Sequence, residues 1–289
     1  MTDFKAKLIN ENLTLTGVVT GGAWSAELPA INVADDRLVT HPARCEDPTD
    51  LAASQFDVAL ARRRIVKFLG LFATNLSVTA QVRLTFADDA AFANVIEVVG
   101  WVPVYERFHA SASLDWEDAN FWTGTPLEKD LDLYGRHKTL LFETSIPAAH
   151  CRIEIDDTLN PAGHIDIGYL YIGTTIETRF NFERGRQLTA KSRAARDETP
   201  SGHAVFDRRR PKRVQRVTYS DLSEGEVAAF LDAGMRNDVI DPVVFIPDPT
   251  DPLAVLRGTF LGRFVELPGA HYRFDGYHQS QIQIEEILA

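Results

Sequence analysis

Residues Val78–Phe86 read VTAQVRLTF, and this stretch decides the fold class. In an extended chain Val78, Ala80, Val82, Leu84 and Phe86 fall on one side, with Gln81, Arg83 and Thr85 on the other. Side chains of a strand alternate between faces with a period of two, so the pattern is that of a half-buried β-strand. Shorter runs of the same kind recur on either side: Leu13–Val19 (LTLTGVV), Arg63–Phe68 (RRIVKF), Thr139–Phe142 and Arg152–Ile155 (RIEI). Gly21-Gly22, Pro42, Asp47-Pro48 and Asn160-Pro161-Ala162-Gly163 punctuate them as turns. Residues 1–173 are therefore expected to form a β-sandwich.

A second, smaller β-rich unit is expected over 174–289. Ile176–Arg186 (IETRFNFERGR) and Arg213–Tyr219 (RVQRVTY) alternate like strands, with a polar loop at Ala190–Ser201 between them. Ser223 and Glu226 have the spacing of a capping box, in which each end of the pair satisfies a backbone N–H of the other. Val227, Phe230, Leu231 and Met235 then form the apolar stripe of one helix, about 223–236, with Asn237 at its C-cap. Val243–Ile246, Ala254–Phe264 and Gln281–Ile287 read as further strands, so the whole chain is mainly β.

Length agrees with two units, because 289 residues exceed a single domain of roughly 100–200. A 45% hydrophobic and 25% charged composition is that of a folded chain. The net charge of −11 opposes nucleic-acid binding, which needs a dominant positive field. No secretory leader is read at the N-terminus, and no run approaches the roughly 20 apolar residues that cross a bilayer. Synthesis in the cytoplasm without membrane insertion is expected. Cys45 and Cys151 lie far apart, outside any CxxC, and read as buried free thiols.

The chemistry-bearing motifs point away from catalysis. There is no GxSxG, Walker loop, HExxH or strand-following GxGxxG. The histidines are scattered without ligand spacing, the His271–His278 stretch HYRFDGYH included. Asp35-Asp36, Asp88-Asp89 and Asp156-Asp157 each sit beside a turn, which carboxylates favour without any metal. No enzyme, no catalytic residue, no metal and no cofactor are expected. Two surfaces remain. The long loop Ser113–Asp132 offers Trp116 and Trp122 as flat faces for a sugar ring, with Asp115, Asp118 and Asn120 to bond hydroxyls. The basic segment, with Arg184, Arg186, Arg208, Arg209, Arg210, Lys212 and Arg213, offers a charged contact to an acidic face of another subunit.

Asn12–Arg44 (NLTLTGVVTGGAWSAELPAINVADDRLVTHPAR) resembles the opening of discoidin-type, galactose-binding-like jelly-roll sandwiches. Those domains begin with a strand, a Trp-containing turn and a Pro–Ala–x–Asn–x–x–Asp–Asp stretch, matched here by Pro29, Ala30, Asn32, Asp35 and Asp36. FLGLFATNLSVTAQVRLTF (Phe68–Phe86) resembles their central strands. His164–Gly185 (HIDIGYLYIGTTIETRFNFERG) and Val243–Pro252 (VVFIPDPTDP) resemble segments of bacteriophage tail-tip and distal tail proteins. That resemblance implies a structural component of a phage tail tip or baseplate, with a tail-tube-like second domain. It would form a symmetric ring, trimer or hexamer, and join the tube to tip proteins, with tube, hub or tape-measure proteins as partners in the virion. The alternative it leaves open is a carbohydrate-binding module that recognises a host-surface glycan without catalysis.

Overall fold

The computed structural model describes residues 5–37, 40–107, 109, 113–183, 185–198, 203–207, 209–274 and 277–288. In chain order its elements begin with β1 (Lys7–Ile9), β2 (Val18–Thr20), β3 (Ala43–Cys45), β4 (Gln55–Thr74), β5 (Gln81–Ala87) and β6 (Val95–Pro103). They continue with α1 (Glu128–Tyr134), β7 (His137–Asp156), β8 (Ile165–Gly173), β9 (Ile176–Glu177), β10 (Gln187–Lys191), β11 (Ala195–Glu198) and β12 (Ala204–Asp207). Last come β13 (Lys212–Leu222), α2 (Glu224–Asn237), β14 (Val243–Ile246), α3 (Pro252–Gly258), β15 (Phe260–Phe274) and β16 (Tyr277–Glu286). The protein is mainly β. It divides into a sandwich unit, residues 9–175 with 247–259, and a sheet unit, residues 1–8, 176–246 and 260–288.

The sandwich unit is built on two strands of 20 residues each, β4 and β7. Their near halves pair as Gln55–Ala59 against Glu154–His150 and their far halves as Phe68–Phe72 against Leu141–His137. The register shifts between Ala59 and Arg64 and again between Val66 and Phe68. Irregularities of this kind bend a strand and increase its twist. Strands β5 and β6 extend the near half, while β8 and β3 extend the far half. Each long strand thus serves both layers, and the layers share one core. Phe56, Val58, Val82, Leu84, Phe86, Ile153 and Ile155 meet Leu69, Leu71, Ile165, Ile167, Leu170 and Ile172 within it. In β5 the alternation holds: Val82, Leu84 and Phe86 are fully buried, and outward-facing Arg83 pairs with its cross-strand neighbour Glu154.

Three local expectations are corrected. LTLT at Leu13–Thr16 is a 3-10 turn, because Asn12 Oδ1 accepts from Thr14 N at 3.0 Å. A short side-chain bond to the backbone offers an alternative to strand pairing. The loop read as far as Asp132 ends earlier, in α1, where Asp130 accepts from Leu127 N at 3.2 Å. The run from Ala254 begins in a helix, with Asp251 accepting from Leu253 N at 2.9 Å and Pro252 in the first turn. Proline suits that position because its missing N–H is one a helix start leaves unpaired.

The sheet unit is a seven-stranded sheet in the order β10-β13-β16-β15-β14-β1-β9. Its first-residue strand β1 pairs with β9 through Lys7↔Glu177 and Leu8↔Ile176. Its core gathers Leu8, Val217, Tyr219, Val227, Phe230, Val243, Phe245, Phe264, Ile282 and Ile284. The capping box of α2 forms as its pattern predicts: Ser223 N and Oγ both donate to Glu226 Oε2 at 2.7 Å. Burial raises the Glu226 pKa, but these bonds and that from Arg179 N outweigh it and hold the carboxyl below its usual value. Val227 and Phe230 are buried as the stripe requires, whereas Met235 is 80% exposed. The last turn instead turns Gly234 inward, where an added Cβ would lie 2.9 Å from Pro268 Cδ. Asn237 is the last helical residue, and Asp238, at φ 49°, takes the cap. The expected loop at Ala190–Ser201 contains β11, which pairs with β12, and among the described residues the single expected helix is joined by α1 and α3.

Candidate functional site

The loop between β6 and α1 is tethered from within. Asp115 N donates to Asp118 Oδ2 and Asp118 N to Asp115 O, both at 2.9 Å. Asn120 is buried, donates from Nδ2 to Thr125 O at 2.7 Å, and accepts from Gly124 N at 2.7 Å. Arg107 reaches across, donating from Nε to Thr123 O at 2.7 Å and from Nη2 to Trp122 O at 2.6 Å. Gly124 sits at φ +64°, and a Cβ there would lie 2.5 Å from His109 O.

This frame holds two indoles in solvent. Trp116 is 77% and Trp122 83% exposed, and Phe121 meets Trp122 edge-on at 5.0 Å. Asp115 and Asp118 are exposed beside them. Of the five residues read as a sugar site, four thus stand at the surface of one loop. Asn120 points inward and serves the loop itself.

The basic segment is arranged differently. Arg184 and Arg208 lie outside the described residues, and Arg186 is half-buried and partnered. Arg209 pairs with Asp207 at 2.6 Å in the open. Lys212 pairs with Glu285 at 3.0 Å, while Arg210 and Arg213 reach Glu286 at 3.2 and 2.7 Å. The Lys212 hydrogen bond is the main cause that lowers the Glu285 pKa. Burial lowers that of Arg210 despite Glu286 beside it. Arg210, Lys212 and Arg213 therefore neutralise the end of β16 in their own chain. The signal for this was the acidic pair Glu285-Glu286, which a reading of the basic run alone passes over.

Cys45 and Cys151 are buried free thiols, and desolvation raises both pKa values. Among the described residues no three His, Cys, Asp or Glu side chains are grouped to hold a metal ion. No described helix is long and apolar enough to cross a membrane.

No known protein family and no curated protein matches the chain by sequence. Among solved structures it is similar to the family 32 carbohydrate-binding module of Clostridium perfringens NanJ in complex with galactose. That match has 14% identity and a TM-score of 0.37, over 56% of this chain and 96% of the other. It is also similar to a family 32 module from a Clostridium perfringens family 31 glycoside hydrolase, with 13% identity and a TM-score of 0.33, over 57% and 99% of the two chains. A third likeness is to SpGH29, with 16% identity and a TM-score of 0.35, covering 57% of this chain and 28% of that one.

Proposed function

We propose that this chain is a non-catalytic glycan-binding protein whose contact surface is the loop carrying Trp116 and Trp122. One observation carries the reading. Two tryptophans are more than three-quarters exposed on a loop whose backbone is held in place by Arg107 and Asn120. Large rings are costly to leave in water, and a pre-ordered aromatic face gives stacking area at small entropic cost. Asp115 and Asp118 accept hydrogen bonds from hydroxyls beside the rings. Trp122→Ala is expected to weaken glycan binding about 5- to 150-fold, the loss of one stacked ring of about 1–3 kcal/mol. Calorimetric titration with the best ligand from a glycan array measures this. An unchanged dissociation constant in Trp122→Ala and in Trp116→Ala would remove the loop from the reading.

A second reading, in which the chain assembles with copies of itself as a phage tail-tip component would, takes its motive from a different feature. Strands β11 and β12 pair as a sheet of their own with every residue of both strands exposed, Val205 by 54% and Phe206 by 62%. An isolated two-stranded hairpin is marginal in water, so a partner surface would stabilise it. A discrete trimer or hexamer by light scattering, reduced to monomer by Val205→Ser with Phe206→Ser, is the expected result. A monomer at every concentration would leave the glycan reading alone.

A further inference from the structure

The outer face of the sheet unit carries a groove of about 500 Å³, within the range of small-ligand sites. Its floor is made by β16. His278, Ser280, Ile282 and Ile284 turn inward along this strand, so Gln279, Gln281 and Gln283 present three amides outward in succession. Their neighbours across the sheet are set by the register. Gln283 lies between Arg216 and Glu266, Gln281 between Thr218 and Gly269, and Gln279 beside His271. Arg216 donates to Gln283 Oε1 from Nη2 at 2.6 Å and from Nε at 3.2 Å, which leaves the Gln283 amide protons facing the groove. A Cβ added at Gly269 would meet nothing within 4 Å, so the space over Gln281 is open. Tyr272 pairs with His278 and meets its ring at 4.7 Å, so it turns to the face opposite the glutamines.

The chemistry of this lining selects its ligand. A primary amide both donates and accepts, as a sugar hydroxyl does, so three amides in a row match a chain of hydroxyls. One guanidinium and one carboxylate flank the same glutamine and balance, which gives no field to draw a polyanion or a cation. From Gln279 to Gln283 the floor runs about 13 Å, four residues of strand rise and longer than one pyranose. We propose that this groove binds a neutral oligosaccharide lying along β16, with its hydroxyls on Gln279, Gln281 and Gln283. The site belongs to the sheet unit, whereas the tryptophan loop belongs to the sandwich unit.

The test uses the full chain carrying Trp116→Ala and Trp122→Ala, so that the loop is silent whatever its own role. Neutral oligomers of glucose, galactose and N-acetylglucosamine, from trimers to hexamers, are titrated while the glutamine side-chain amides are followed by nitrogen-15 NMR. Saturable shifts of the Gln279 and Gln281 amides are expected with at least one series, and Gln281→Ala should weaken that binding about tenfold. Gly269→Leu should abolish it with an unchanged melting midpoint, because its side chain enters open groove space. Three results would overturn the proposal: no series moves these amides at millimolar sugar, the shifts persist in Gly269→Leu, or a sulfated oligosaccharide outcompetes the neutral ones.

Discussion

Glu286→Ala is expected to destabilise the sheet unit by about 3–5 kcal/mol, the usual consequence of removing one partner of a buried ion pair. The carboxylate accepts from Arg213 Nε at 3.0 Å, Arg213 Nη2 at 2.7 Å, the Arg213 backbone N at 2.9 Å and Arg210 Nη2 at 3.2 Å. The side chains of Glu286 and Arg213 are only 5% and 12% exposed, and the Arg213 guanidinium lies 4.8 Å over the ring of Phe260. Without Glu286 the nearly buried Arg213 guanidinium loses the carboxylate that accepts its Nε and Nη2 bonds, on the strands that pair β13 to β16. The two units can be read separately, because Trp24, Trp101, Trp116 and Trp122 all belong to the sandwich unit. Backbone hydrogen exchange across 212–222 and 277–286 should accelerate by about two orders of magnitude or more, while the tryptophan fluorescence transition keeps its midpoint. Glu286→Leu combined with Arg213→Met should recover part of the loss, since well-packed apolar groups replace such a pair at little cost. A loss below about 1 kcal/mol would mean that water screens the pair as it does an exposed one.

What the sequence disclosed and what it withheld follow from the range of the interactions. The VTAQVRLTF strand was legible because alternation is local and one face is buried. The capping box at Ser223 was legible because three residues contain the whole device. Met235 was misplaced because the stripe rule assumes a flat partner, whereas Pro268 approaches the helix at Gly234. Leu13–Thr16 was misplaced because Asn12 also bonds Leu170 O, a partner 158 residues away. The pairing of β1 with β9 and the union of Glu286 with Arg213 are likewise long-range, and no window of sequence contains both partners. In the candidate loop, aromatic content marked a surface. Which way Asn120 turned depended on the carbonyl of Thr125, and nothing in the composition encodes that.

Gly22 shows the same lesson at one residue. Gly21-Gly22 read as a turn, but the structure demands glycine at Gly22 for a reason beyond the turn. At φ +67°, a Cβ there would lie 2.5 Å from both Ala53 O and Gln55 O and 2.6 Å from Trp24 Nε1. Those atoms are fixed by their own bonds: Ala23 N donates to Ala53 O and Trp24 Nε1 to Gln55 O, each at 2.9 Å. Backbone carbonyls cannot swing aside as the end of a lysine can. Gly22→Ala must therefore strain a left-handed residue, at about 1–2 kcal/mol, and break or stretch two hydrogen bonds, at about 1 kcal/mol each. A loss of about 3 kcal/mol from the sandwich unit is expected. Trp24 reports it directly, because its indole stacks on Phe56 at 4.0 Å and 16° between planes, against the buried core. Displacing the Nε1–H bond should red-shift its emission in the folded protein and move the denaturation midpoint down together. A midpoint within 0.5 kcal/mol of the parent, about the scatter of neutral surface changes, would show that the turn relaxes around the methyl group.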